Sequence, residues 1–332
     1  MKELLPIEVE IHRGEFVESL HHVHGALVNE SGELIKAWGS YQRAVSPRSA
    51  IKKLQAIAFV ESGAVEQYNL DSRHIALACS SHVGEPAHLS LVREWRERMG
   101  LRVDDFVCGA HYPFDESSAH NLIRQSLKPT SEHNNCSGKH LGILSTCLLK
   151  SWAIQNYGNY DHPAQIHLRD LLSELMDFDV HASDWGVDGC GIPTNAIPLY
   201  KIARGMSQLL SSKAHAKASK LILDSVAQSP FYIAGTEEFA TRLAQVTQGR
   251  VIVKIGAEGV YCGVDRDKKW AFALKCEDGT ERGVSVALCG LLENEKLVSE
   301  AEKSQLETFF SRKLRNWKGL EVGSIRARKE TL

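Results

Sequence analysis

Three observations predict an α+β fold: the order in which hydrophobic periodicity changes along the chain, the absence of any repeat or linker, and enough apolar content for one large core. Strand-like alternation opens the sequence and helical periodicity dominates from about 115 to 248. Strand character then returns, and helices and a last strand close the chain. This order predicts one domain over 1–332. Its antiparallel sheet, with terminal strands adjacent, is built from roughly 1–114 and 249–332 and flanked by helices. A mostly helical lobe fills 115–248, and a site is expected where lobe meets sheet. The 332 residues are 43% hydrophobic and 24% charged, as in soluble globular proteins.

The elements follow in order. Apolar stretches on either side of Asn29-Glu30-Ser31-Gly32 read as a hairpin. In SPRSAIKKLQAIAFVESG, Ser46 suits an N-cap and Pro47 a first helical position, and Gly63 follows the end. RHIALACSS reads as a buried strand running into a loop, and HLSLVREWRERMG as an amphipathic helix. Loops fall at NNCSG and VDGCGIPTNAIP. VIVKIGAEGVYCGVDRDKKWAFALKCEDG reads as strands with a turn at Asp265-Arg266-Asp267. Helices are expected at about 282–293 and 297–313, and a last strand near VGSIRARK.

Composition excludes several classes. A formal net charge of −2 predicts no nucleic-acid or anionic-membrane partner. MKELLPIEVEIH carries carboxylates where a signal peptide needs an apolar core, and no apolar run approaches the ~18 residues of a membrane span. A cytoplasmic protein is expected, and a homodimer by default, since twofold assemblies are the commonest. Eight cysteines are scattered without any CxxC. Cys79, Cys147, Cys276 and Cys289 have apolar neighbours and read as reduced core residues. Cys136 and Cys190 differ, standing among Asn, Asp, Gly and Lys.

Four groups of residues are candidates for chemistry. Ser49-Ala50-Ile51-Lys52 is an SxxK at a helix start, where residues three apart share a face and an amine can reach a hydroxyl. With 30 serines and 20 lysines in the chain, about two such matches arise by chance, so the motif alone favours a helix turn with a solvated lysine. Ser80-Ser81 closes an apolar run; a polar turn is the bland alternative. Lys254 lies in an apolar strand, so it faces either solvent at an edge or a cavity. Cys136, Lys139 and His140 share one face of a beginning helix, and Cys190 lies between glycines. Two accessible thiols beside nitrogen donors suit Zn²⁺; the rival is Cys136 as nucleophile with His133 or His140 as base.

The order Ser-x-x-Lys, serine, Lys-x-Gly is that of serine β-lactamases and penicillin-binding proteins. The stretches SPRSAIKKLQAIAFVESGA, CSSHVGEPAH, HNNCSGKHLGIL, DGCGIPTNAIPL and KIGAEGVYCG more closely resemble the rhizobial-type L-asparaginases, the asparaginase II family, over nearly the whole chain. The resemblance implies that architecture, hydrolysis of L-asparagine to L-aspartate and ammonia, and two Ser–Lys tandems in one cleft: Ser49 with Lys52, and Ser81 with Lys254. Ser49 is the favoured nucleophile. It also implies that Cys136, Lys139 and Cys190 hold a zinc ion near the substrate that is not the attacking centre. Arg48 then suits the substrate α-carboxylate, with Asn134, Asn135, His140 and Asp188 candidates for its amino group and amide. Val83, where a β-lactamase has asparagine, and Ile255, where it has Ser or Thr, argue against β-lactam chemistry. Two other readings stay open: a zinc-dependent amidohydrolase using metal-bound water, and a non-catalytic amino-acid-binding protein.

Overall fold

The computed structural model describes residues 2–332. Strands β1 (Lys2–Leu4), β2 (Ile7–Arg13), β3 (Phe16–Val28) and β4 (Leu34–Trp38) open the chain. Short strands follow: β5 (Ala44–Val45), β6 (Trp185–Val187), β7 (Pro193–Asn195) and β8 (Ile197–Pro198). The chain returns to the main sheet with β9 (Val251–Gly256), β10 (Val260–Asp265), β11 (Trp270–Cys276), β12 (Arg312–Arg315) and β13 (Glu321–Ala327). The main sheet runs β12-β13-β2-β3-β11-β10-β9. β4 pairs with the second half of β3. β13 pairs antiparallel with β2, Ile325 opposite Ile11, so early and late strands are neighbours as predicted. The pairing is antiparallel throughout except that β1 lies parallel to β4.

The expected hairpin forms between β3 and β4, and Asp265 accepts backbone N–H groups of Asp267 and Lys268 in the turn before β11. β10 is buried at every position, which requires cover on both faces. Helices α1 (Lys52–Glu61), α2 (Ala64–Gln67), α3 (Ser72–Ala78), α4 (Pro86–Arg98), α5 (Glu116–Arg124), α6 (Ser137–Leu149) and α7 (Pro163–Met176) precede β6 in the chain. Next come α8 (Leu199–Ser211), α9 (Ala216–Gln228), α10 (Phe239–Val246) and α11 (Glu281–Asn294). α8 packs on β3, β10 and β11 from one side and α11 on the same strands from the other. No helix among the described residues is long and apolar enough to cross a membrane.

Three expectations are corrected. RHIALACSS is helical: the Asp71 side chain accepts the Arg73 N–H while His74 Nδ1 takes the Asp71 N–H, a reciprocal cap that starts α3. A short helix buried on nearly all sides loses its 3.6-residue signature and reads like a strand. Ser46 is not an N-cap. Its hydroxyl bonds Thr194 Oγ1 at 2.8 Å, and Pro47 instead opens a 3₁₀ turn over Arg48–Ile51 that runs into α1. The predicted helix at 297–313 is two short ones, Glu300–Gln305 and Glu307–Phe310, followed directly by β12. The loop around Cys190 also contains the small hairpin β6–β7.

Candidate active site

Two close approaches bring the chemistry together. A Cβ on Gly256, at the end of β9, would stand 2.5 Å from the Pro47 carbonyl oxygen, so only glycine lets the Lys254 strand lie against the Ser49 turn. A Cβ on Gly138 would stand 2.2 Å from Leu77 O; its absence lets the start of α6, with Cys136 and Lys139, lie against the end of α3 just before Ser80-Ser81. The Ser81 N–H donates to Ile233 O and the His82 N–H to Asn135 O, fixing the serine loop between α6 and the segment before α10.

A cleft of ≈ 560 Å³ opens there. Arg48, Ser49, Ser81, Asn134, Asn135, Cys136, Asp188 and Cys190 all line it. Lys52, Lys139 and Lys254 are buried just behind this wall. His140 does not line the cleft. It is fully buried, with Nδ1 2.6 Å from Tyr157 OH, and burial followed by the charges of Lys139 and Lys52 holds it neutral. Asn134 spends its amide on the scaffold, donating to Gly109 O at 2.6 Å and accepting the Cys136 N–H at 2.9 Å.

Lys254 Nζ lies 2.8 Å and Lys52 Nζ 3.1 Å from Ser81 Oγ. Lys52 also donates to Ser80 O and sits 3.1 Å from Cys136 Sγ. Both amines therefore serve Ser81, and the expected Ser49–Lys52 pairing is not made as a hydrogen bond: the 3₁₀ turn points Lys52 beneath the cleft floor. Ser49 follows Arg48, whose φ of 45° is a left-handed conformation that a β-carbon makes costly. Burial, then the charges of Lys52 and Lys53, hold the Lys254 amine well below the usual lysine range.

The opposite wall carries the thiols. Lys139 Nζ donates to Cys190 Sγ at 2.9 Å, and the Cys190 thiol donates to Asp188 Oδ2 at 3.5 Å. Burial alone would lower Lys139; Cys190 and Cys136 outweigh it and keep the amine above its ordinary value. The neighbouring Cys190, against burial, pulls Cys136 down, and Cys136 together with burial pushes Cys190 up. Asp188 accepts Arg48 Nε at 2.6 Å. Burial opposes its ionisation, but Lys139 and Arg48 prevail and hold its carboxyl low.

Sequence reasoning missed four cleft residues, His111, Phe114, Glu238 and Glu281, and the buried Lys53 beside Lys52. Only Lys53 had a readable signal, as a lysine inside an apolar helical pattern. A second donor cluster, His21, Cys276 and Asp278, lies outside the cleft. Asp278 there accepts the Thr280 N–H and Arg282 donates to His21 Nε2, so its groups are already engaged in starting α11.

Hydroxyls backed by buried amines in an open cleft equip an enzyme for acyl transfer. The class is an amidohydrolase: the L-asparaginase II family model matches residues 9–327. The chain belongs to that family and is an L-asparaginase. Curated proteins give no match.

Proposed function

We propose that the enzyme hydrolyses L-asparagine through a serine nucleophile served by buried lysines, with Ser49 attacking the side-chain amide. The observation that carries this reading is the bridge Lys52–Ser81–Lys254, in which one hydroxyl joins two amines beside the cleft that Ser49 lines. A proton on Lys52 passes to Ser81 as Ser81 gives its own to the uncharged Lys254. Lys52, three residues on from Ser49 and released from Ser81, would then have to swing from the Ser81 side to take the Ser49 proton as Oγ attacks the amide carbon. When the tetrahedral adduct collapses, the leaving nitrogen takes a proton back from this chain and departs as ammonia. Water then hydrolyses the aspartyl ester and aspartate is released.

The strained Arg48 favours Ser49, since it fixes the residue that follows at the cleft wall. A second reading makes Ser81 the nucleophile, because its hydroxyl touches both amines. Acid-quenched enzyme caught turning over L-asparagine separates the two: an aspartyl ester on the peptide containing Ser49 supports the first, and one on the Ser81 peptide reassigns the attack. An ester on neither, with turnover abolished by a chelator and kept by S49A, would leave metal-bound water as the attacking group.

We also assign Cys136, Lys139 and Cys190 as holders of a zinc ion. Two thiols lining the same cleft, with an amine 2.9 Å from one of them, make a soft-donor set, and ligation would displace the proton Lys139 carries. Such an ion supplies positive charge near a bound amide. Arg48, held by Asp188, is left with its remaining guanidinium N–H groups for the substrate carboxylate. The sheet with a helical lobe and a site at their junction supports the β-lactamase-like architecture.

A further inference from the structure

Lys53 is fully buried and directly follows Lys52. Its amine makes one hydrogen bond, 3.1 Å to the carbonyl of Val253, the residue before Lys254. Thiols face it from two other elements, Cys79 at the end of α3 and Cys262 on β10, where Cys262 is the cross-strand partner of Lys254. Lys52, Lys53 and Lys254 thus form a buried group of three amines, and none of them has a carboxylate within ion-pair distance among the described residues. A methionine or leucine would fill the same volume without an amine to desolvate, so the amine asks for a use.

Taking the Ser–Lys reading as its basis, we propose that Lys53 is a positioning residue whose buried positive charge keeps Lys254 in the free-amine form that the proton chain requires. The arrangement is specific. Lys53 bonds the backbone of Lys254's own strand, so it is held behind that strand while the Lys254 side chain reaches Ser81 on the cleft side. Other charges that reach Lys254 are Lys52, the thiols Cys136 and Cys79, and Glu238, whose carboxyl feels Lys254 from the start of α10. Burial lowers Lys53 itself to about 8, so it remains charged through the neutral range. Each amine has a carbonyl acceptor, Val253 O at 3.1 Å for Lys53 and Ile255 O at 2.7 Å for Lys254, so the two compete for a proton through their charges and not through their acceptors.

The test combines a pH–rate profile with a direct view of the amine. In K53M, removing a neighbouring positive charge raises the proton affinity of Lys254 about three- to ten-fold, moving the acid limb of kcat/KM up by about half to one pH unit. K53R, which keeps a charge, should hold the wild-type limb. A purely structural role for Lys53 would lower kcat at all pH values without moving the limb, and that result would overturn the proposal. The second measurement is the ¹⁵Nζ NMR titration of the lysines, with the Lys254 signal assigned by its loss in K254M. It reads protonation without turnover. If wild type turns over no asparagine, the reading of the site fails, yet a Lys254 signal that shifts its midpoint in K53M still supports the electrostatic link. Should K53M not fold, wild type alone decides: Lys254 must sense the discharge of Lys53 near pH 8, and independent titrations of the two would refute the link.

Discussion

The two walls of the cleft contain the same residue under the same burial and hold it in opposite states. On the sheet side, Lys254 is buried beside other amines, and its proton affinity is held well below that of a free lysine. On the loop side, Lys139 is as deeply enclosed, but two thiols and Asp188 face it and it keeps its proton. Desolvation acts on both in the same direction, so the neighbours decide. The neighbours lower the proton affinity of one amine and raise that of the other.

Substitutions on the two walls should therefore differ in kind. The largest loss is expected for S49A, with kcat reduced by more than about 10³-fold if it is the nucleophile, and S81A or K254M should cost about 10²–10⁴-fold as proton transfer fails. Steady-state ammonia release checks all three; near-wild-type turnover in K254M would remove the sheet wall from the chemistry. Next in size is pH. In the proposed proton chain Lys254 works unprotonated and its pKa is depressed, so kcat/KM should fall as pH drops through that lowered value and level off above it. A profile flat into the acid range would break the contrast between the walls.

On the thiol wall, C190S should abolish stoichiometric zinc binding, measured by titration calorimetry, and reduce activity by about 10–100-fold, less than K254M does. Equal losses on both walls would mean that the metal takes part in attack. D188N unties Arg48 and should raise KM about ten-fold with kcat little changed. The smallest effect on activity belongs to D71A: loss of the α3 cap should cost about 1 kcal/mol in thermal or denaturant unfolding and leave kcat intact.

The sequence made the sheet strands legible, because β2, β3 and β9–β11 alternate or run apolar between clear turns. It also brought Ser49, Ser81, Cys136 and Cys190 to notice through polar residues in unexpected company, and all four line one cleft. What stayed hidden depends on long-range geometry. Nothing in the spacing of Ser49 and Lys52 tells that the lysine turns away under a 3₁₀ turn to meet Ser81, twenty-nine residues on. Glu238 and Glu281 reach the cleft only because α10 and α11 begin at its rim. The α3 segment misled because its periodic face disappears when nearly every face is covered.

The pairing of β2 with β13 has a consequence for how the protein is made. Ile11 finds its partner at Ile325, so a strand in the interior of the sheet leaves the ribosome with one edge bare and keeps it bare while nearly the whole chain is synthesised. At about 5–20 residues per second that wait lasts on the order of tens of seconds. During it, β2 and β3 present an unclosed hairpin to whatever else is nascent nearby. Chaperone demand should therefore fall once β13 has emerged, and a ribosome stalled before β13 emerges should yield a product that aggregates with its cleft residues already made.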